Sequence, residues 1–113
     1  MPRARIPRPP SHLRPATAKW WNAVVGAFEL EEHHLRLLQL AAEAWDRAEQ
    51  ARMLLAEHGI TFTDRFGCPR ARPEIAIERD SRIAFARLLR ELDLDIEGPS
   101  GAARPPALRS NRG

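Results

Sequence analysis

The stretch EEHHLRLLQLAAEAWDRAEQARMLLAEH, residues 31–58, decides how this chain folds. It contains neither glycine nor proline, and its apolar residues recur at helical rather than strand spacing. Acids open it, where the positive end of a helix favours them, and Gly59 follows it as a residue able to take φ > 0. One helix of about 28 residues spans roughly 40 Å at 1.5 Å per residue. A compact body of about 80 ordered residues is only roughly 30 Å across. Such a helix must protrude or pack along copies of itself. It also carries two apolar faces. One is bulky, with Leu35, Leu38, Ala42 and Trp45. The other is slim, with Leu37, Ala41, Ala44, Ala48, Ala51 and Leu55, and successive alanines let a second helix come close.

On the N-terminal side, PATAKWWNAVVGAF predicts a shorter helix beginning at Pro15 or Ala16, proline being suited to a first turn. Trp21, Val24, Val25 and Phe28 follow the i, i+3, i+4, i+7 rule and define one face. Trp20 lies off that stripe, with Ala23 and Ala27 along its own side. Adjacent helical residues point about 100° apart, so the two tryptophans cannot share one buried face. The expectation is that one packs inside the protomer and the other covers a neighbouring subunit. Residues 1–14 hold Pro2, Pro7, Pro9 and Pro10, which remove backbone donors and fix φ, and predict an extended or flexible arm.

On the C-terminal side, ITFTDRFGCPRARP, residues 60–73, switches to period two. Ile60 and Phe62 alternate with Thr61 and Thr63, DRFG offers a turn, and Pro69 confines a return strand to an edge. A short β-hairpin or an extended loop is expected. PEIAIERDSRIAFARLLRELDL then reads as a last helix burying Ile77, Ala84, Phe85, Leu88, Leu89 and Leu92, with Glu78 and Arg82 an i, i+4 pair. Beyond Glu97 too few apolar residues remain to fold. The fold class is therefore mainly α: a three-helix protomer with a long central helix, a hairpin or loop before the last helix, and disordered basic termini. Residues 15–97 form the helical domain, between an arm (1–14) and a tail (98–113).

Charge is unevenly spread beneath a formal net of +3. The arm and first helix carry Arg3, Arg5, Arg8, Arg14 and Lys19 with no acid before Trp20, whereas residues 20–63 hold three arginines against seven acids. An acidic body with basic ends is suited to a polyanion reached by flexible arms. Arg65, Arg70 and Arg72 stud the hairpin. They either contact phosphate or pair with the acidic body or with a neighbouring copy of it. The candidate DNA-binding set is these eight residues. The candidate oligomer interface is Trp20, Trp21, Leu37, Ala41, Ala44, Ala48, Ala51 and Leu55.

Catalytic signatures are missing from the sequence: there is no GxxxxGK[ST], GxGxxG or GxSxG. His33 and His34 are adjacent on a helix and should splay apart, unlike the i, i+4 pair of a zinc-binding HExxH, so no metal or other cofactor is expected. Cys68 is a lone cysteine, which excludes an intramolecular disulfide and fits a reducing cytoplasm. No apolar run is long enough to cross a bilayer, so no membrane partner is expected.

In order and spacing, PSHLRPATAKWWNAVV (10–25) and LEEHHLRLLQLAAEAWDRAEQARMLLAEHGITFTDRFGCPRARPEIAIERDSRIAFARLLRELDLD (30–95) resemble the small subunit of tailed-phage terminases, the P27 family. That family has an aromatic-rich first helix and a long helix with an AEAWDR-type stretch. An L/I-T-Y/F-T strand and a closing IERDSR…LLREL helix complete the pattern. The resemblance covers about residues 9–97, with Phe62 standing where the family often has tyrosine. It implies a non-enzymatic protein of the host bacterial cytoplasm that assembles into a homo-oligomeric ring. It also implies recognition of viral double-stranded DNA at packaging-initiation sites and delivery of that DNA to the large terminase subunit, which supplies ATPase and nuclease. The alternatives are a helical structural or adaptor protein, and a DNA-binding transcription regulator. The regulator would need a polar, exposed recognition helix in a helix-turn-helix.

Overall fold

The computed structural model describes residues 6–93 and Pro99. Within them the fold class is as expected: helix α1 (Pro15–Ala27), helix α2 (Glu32–His58), strands β1 (Thr61–Thr63) and β2 (Pro69–Ala71), and helix α3 (Glu74–Leu92). The disorder expected of the tail and of residues 1–5 lies, Pro99 apart, outside the described residues.

Each boundary has a local cause. At the start of α2, Glu31 and His34 form a reciprocal capping box, in which the Glu31 amide donates to His34 Nδ1 at 3.2 Å. Gly59 ends the helix at φ +82°, a conformation that costs a side-chain-bearing residue strain. The strands are antiparallel, pairing Thr61 with Ala71, Phe62 with Arg70 and Thr63 with Pro69. Asp64 closes their turn. Its carboxylate accepts from the amides of Phe66 and Cys68, each at 2.9 Å, and from Arg70 Nε at 3.0 Å. Gly67 supplies the positive φ that this turn needs.

Helices α2 and α3 pack along much of their length as an antiparallel pair, and α1 lies across them at one end. Three rings join the three helices. Phe85 of α3 sits between Trp20 of α1, with centroids 5.9 Å apart, and Trp45 of α2, 5.0 Å away. Both pairs are tilted and at the separations aromatic quadrupoles favour. Around them Leu38, Ala41, Ala42, Ala44 and Leu92 are buried.

This packing corrects the interface expected from sequence. Trp20 and Trp21 are both inside the protomer, at 7% and 3% exposure. Trp20 faces the helix pair. The second side of α1, where Trp21 points, meets the arm at Pro7. Trp21 Nε1–H donates to the Pro7 carbonyl at 3.1 Å, and Leu13 is buried in the same core. Ala41, Ala44, Ala48 and Ala51 are at most 3% exposed, so their surface is already consumed by the protomer's own packing rather than held for a neighbour. Leu37 and Leu55 are half-buried. Ile77, expected in the core, is 41% exposed, although Glu74, Ile75 and Ala76 of the same turn are half-buried.

Residues 6–14, whose prolines predict part of a flexible arm, are extended but fixed. A turn closes from the Leu13 amide to the Pro10 carbonyl at 3.2 Å, and His12 Nε2 lies 2.7 Å from Glu43 Oε2. Asp46 of α2 holds the junction. One carboxylate oxygen accepts from the Arg14 amide at 2.9 Å, and the other accepts from Thr17 Oγ1 at 2.5 Å. Arg14 stands at the N-cap of α1 with no side-chain cap of its own, so α2 supplies the missing anion.

Replacing Asp46 by alanine strands the Thr17 hydroxyl, which is 1% exposed, and uncaps α1. Asp46→Ala should cost about 2 kcal/mol in denaturant unfolding and shift tryptophan emission to the red as the arm lifts. An unchanged midpoint and unchanged emission would remove Asp46 from this role.

Candidate nucleic-acid interface

Cationic side chains are the functional candidates, and the structure divides them by what they already touch. Arg3 and Arg5 lie outside the described residues. Arg8 and Lys19 are exposed and carry no ion pair among the described residues. Arg14 is committed: it lies over the acidic ridge of α2, with Nη1 3.9 Å from Glu49 and Nη2 3.7 Å from the Met53 sulfur. In the hairpin, Arg70 pairs with Asp64 of its own turn, Arg65 sits over the Phe66 ring at 4.8 Å, and Arg72 lies 5.9 Å from the Phe62 ring centroid. The hairpin cations therefore engage neither the acidic body nor one another. The structure does not gather the six described residues of the expected set into one patch. The Arg14 guanidinium lies between Glu49 and Met53, and the hairpin begins past Gly59, roughly 9 to 15 Å further along α2 at about 1.5 Å per residue.

Sequence reasoning misses a second cluster. Glu49 on α2 gathers Arg52 at 2.9 Å, Arg82 of α3 at 3.6 Å and Arg14, and Arg82 also holds Glu78 at 3.0 Å. Hydrogen bonding from Arg52 and the charges of Arg52, Arg82 and Arg14 hold the Glu49 carboxyl below its ordinary 4.5, against the opposing pull of burial. Only Arg52–Glu49 and Arg82–Glu78 have helical sequence spacing. The other two partners of Glu49, Arg82 and Arg14, come from other elements and leave no local signal. Asp64 is likewise held low by the Cys68 amide and then by Arg70.

Past this cluster, the outward side of α3 shows Arg79, Ile83, Ala86, Arg87 and Arg90, all exposed. Arg79 touches Asp80 at 3.2 Å, while Arg87 and Arg90 have no ion pair among the described residues.

Glu31, His33 and His34 are closer together than expected. The histidine rings do not splay, since their centroids are 4.0 Å apart, and ligating atoms of the three residues lie within 4.8 Å of one another. The cap explains the geometry: it turns His34 back to the Glu31 amide, and His33 leans to the Glu31 carboxylate at 3.5 Å. Accepting from that amide commits the Nδ1 lone pair of His34 and places its proton on Nε2. A cation here would have to displace the cap and face the positive end of α2. The arrangement is built to start a helix.

Comparison with protein-family models, with curated proteins and with solved structures finds no match to this chain.

The lowered Glu49 value has a definite consequence for acid stability. A folded value below the unfolded one makes its contribution complete above about pH 4.5 and progressively lost as pH falls through the folded value. Glu49→Gln should therefore lower stability by about 1 kcal/mol near neutrality, allowing for solvent screening, and should flatten the acid limb of the stability curve. A variant whose acid limb matches the wild type would show that the cluster contributes nothing to folding.

Proposed function

We propose that the protein is a small terminase subunit of the kind its sequence resembles. It is a non-catalytic, oligomeric DNA-binding protein that engages viral double-stranded DNA and hands it to the large packaging subunit in the bacterial host cytoplasm. The observation that carries this reading is the uncovered hairpin end. All six strand residues are exposed, and Ile60, Phe62 and Phe66 are 63%, 40% and 74% exposed. Met53 near the end of α2 and Ile77 at the start of α3 add 50% and 41% exposed side chains at the same end. An isolated two-stranded hairpin is marginal in water, and clustered apolar exposure marks a contact surface. Assembly through this end replaces the tryptophan and alanine interface expected from sequence, whose surface lies within the protomer.

DNA capture in this reading is electrostatic first. Each protomer offers Arg8, Lys19 and Arg65 at the surface, and an oligomer multiplies weak phosphate contacts through effective concentration. Counterion release then makes affinity fall steeply with salt, and DNA bendability contributes to site choice. The large subunit supplies the chemistry, as the resemblance implies.

Light scattering on the full chain at micromolar concentration should give a mass of several protomers. The Phe62→Ser/Phe66→Ser variant should shift that mass toward the single chain while keeping its helical circular dichroism. A wild type that stays monomeric, or a double variant that assembles undiminished, would refute assembly through the hairpin.

A further inference from the structure

We propose that the outward face of α3 is a contact surface for duplex DNA, seated in the major groove with its arginines on bases and flanking phosphates. The proposal rests on the DNA-binding reading above and adds a surface outside the eight cations that the sequence singles out. Arg79, Ile83, Ala86 and Arg90 follow i, i+4, i+7 and i+11 and so form one straight stripe opposite the buried Ser81, Phe85 and Leu92, with Arg87 beside it. The inner side of α3 is spent on α2 and on Trp20, and no described element covers the outer side.

The chemistry of the stripe suits one partner. Two guanidinium groups, of Arg79 and Arg90, end a line about 16 Å long at roughly 1.5 Å per residue, with Arg87 beside it and no carboxylate on the line itself. The acids of this region are at its margins: Asp80, engaged by Arg79, and Glu91 on one flank, and Glu78, engaged by Arg82, on the other. Among the described residues Arg87 and Arg90 therefore make no ion pair, unlike Arg14 and Arg70, which nearby carboxylates hold. A major groove about 12 Å wide admits a helix, arginine pairs with guanine O6 and N7, and small apolar side chains such as Ala86 and Ile83 fit against thymine methyls. An acidic protein surface would satisfy the charges, but gains nothing from the narrow, straight arrangement.

The test is fluorescence anisotropy of a labelled mixed-sequence duplex with the full chain, titrated across a range of potassium chloride. Two variants are compared, Arg87→Ala/Arg90→Ala on α3 and Arg36→Ala/Arg47→Ala on α2, which change the net charge equally. Alanine at exposed helical positions threatens neither helix, and circular dichroism and light scattering confirm fold and mass. The α3 variant should weaken binding about tenfold or more at low salt and lower the salt slope by about two, roughly one for each guanidinium. The α2 variant should change either quantity far less. Equal behaviour of the two variants would overturn the proposal while leaving the DNA-binding reading intact. Loss of assembled mass in the α3 variant, with DNA binding per protomer preserved, would make the face a protein contact and also overturn it. A wild type without salt-sensitive binding would overturn the functional reading and this surface together.

Discussion

The meeting of Trp20, Trp45 and Phe85 is the contact on which the rest of the structure depends. Each of the three helices contributes one ring, and Phe85 touches both tryptophans at 5.9 and 5.0 Å. A helix pair alone, as α2 and α3 would be, buries one stripe on each partner and leaves the bulky side of α2 wet. Bringing Trp20 onto Phe85 fixes where α1 must lie, and that placement turns Trp21 about 100° away around the same short helix. The arm meets the need this creates, since the Pro7 carbonyl accepts from Trp21 and Leu13 enters the core, while Asp46 holds the arm to α2. Order thus runs from an aromatic contact to a helix position, and from there to an N-terminal segment whose composition argues for freedom.

Much of this is legible in the sequence, because periodicity is a local property. The glycine-free run from residue 31 to 58, the acids at its start and Gly59 at its end define α2 to within one residue of its observed bounds. The alternation of ITFT, the turn at DRFG and the edge position of Pro69 define the hairpin. The covering of Trp21 is not legible, because nothing in RIPRPPSHL has a helical or strand period that would announce a core residue. Leu13 is the one apolar side chain there that enters the core, and a single residue has no pattern. The Ala41–Ala51 stripe does mark a surface for close helix approach. Its partner is α3 of the same chain, a choice that spacing alone cannot make. The Glu49 cluster is hidden for a related reason, since Arg14 and Arg82 reach it from two other elements.

With the tryptophans and alanines enclosed, the molecule has two unlike ends. The end where α1, the arm and the aromatic rings meet is closed and apolar inside. The hairpin end has bare Ile60, Phe62 and Phe66 beside arginines, and continues into the arginine-bearing outer face of α3. One end stores the folding energy and the other carries the surface left for partners. That division suits the proposed roles in assembly and DNA contact, and it keeps both surfaces away from the packed core.

The most direct test of this account is the environment of the tryptophans when the protein is diluted until only single chains remain, followed by emission and acrylamide quenching alongside sedimentation. A protomer that closes over Trp20 and Trp21 by itself keeps blue-shifted, poorly quenched emission at every concentration. Emission that turns red and readily quenched on dilution would mean that a neighbouring subunit, and not the protomer itself, covers them.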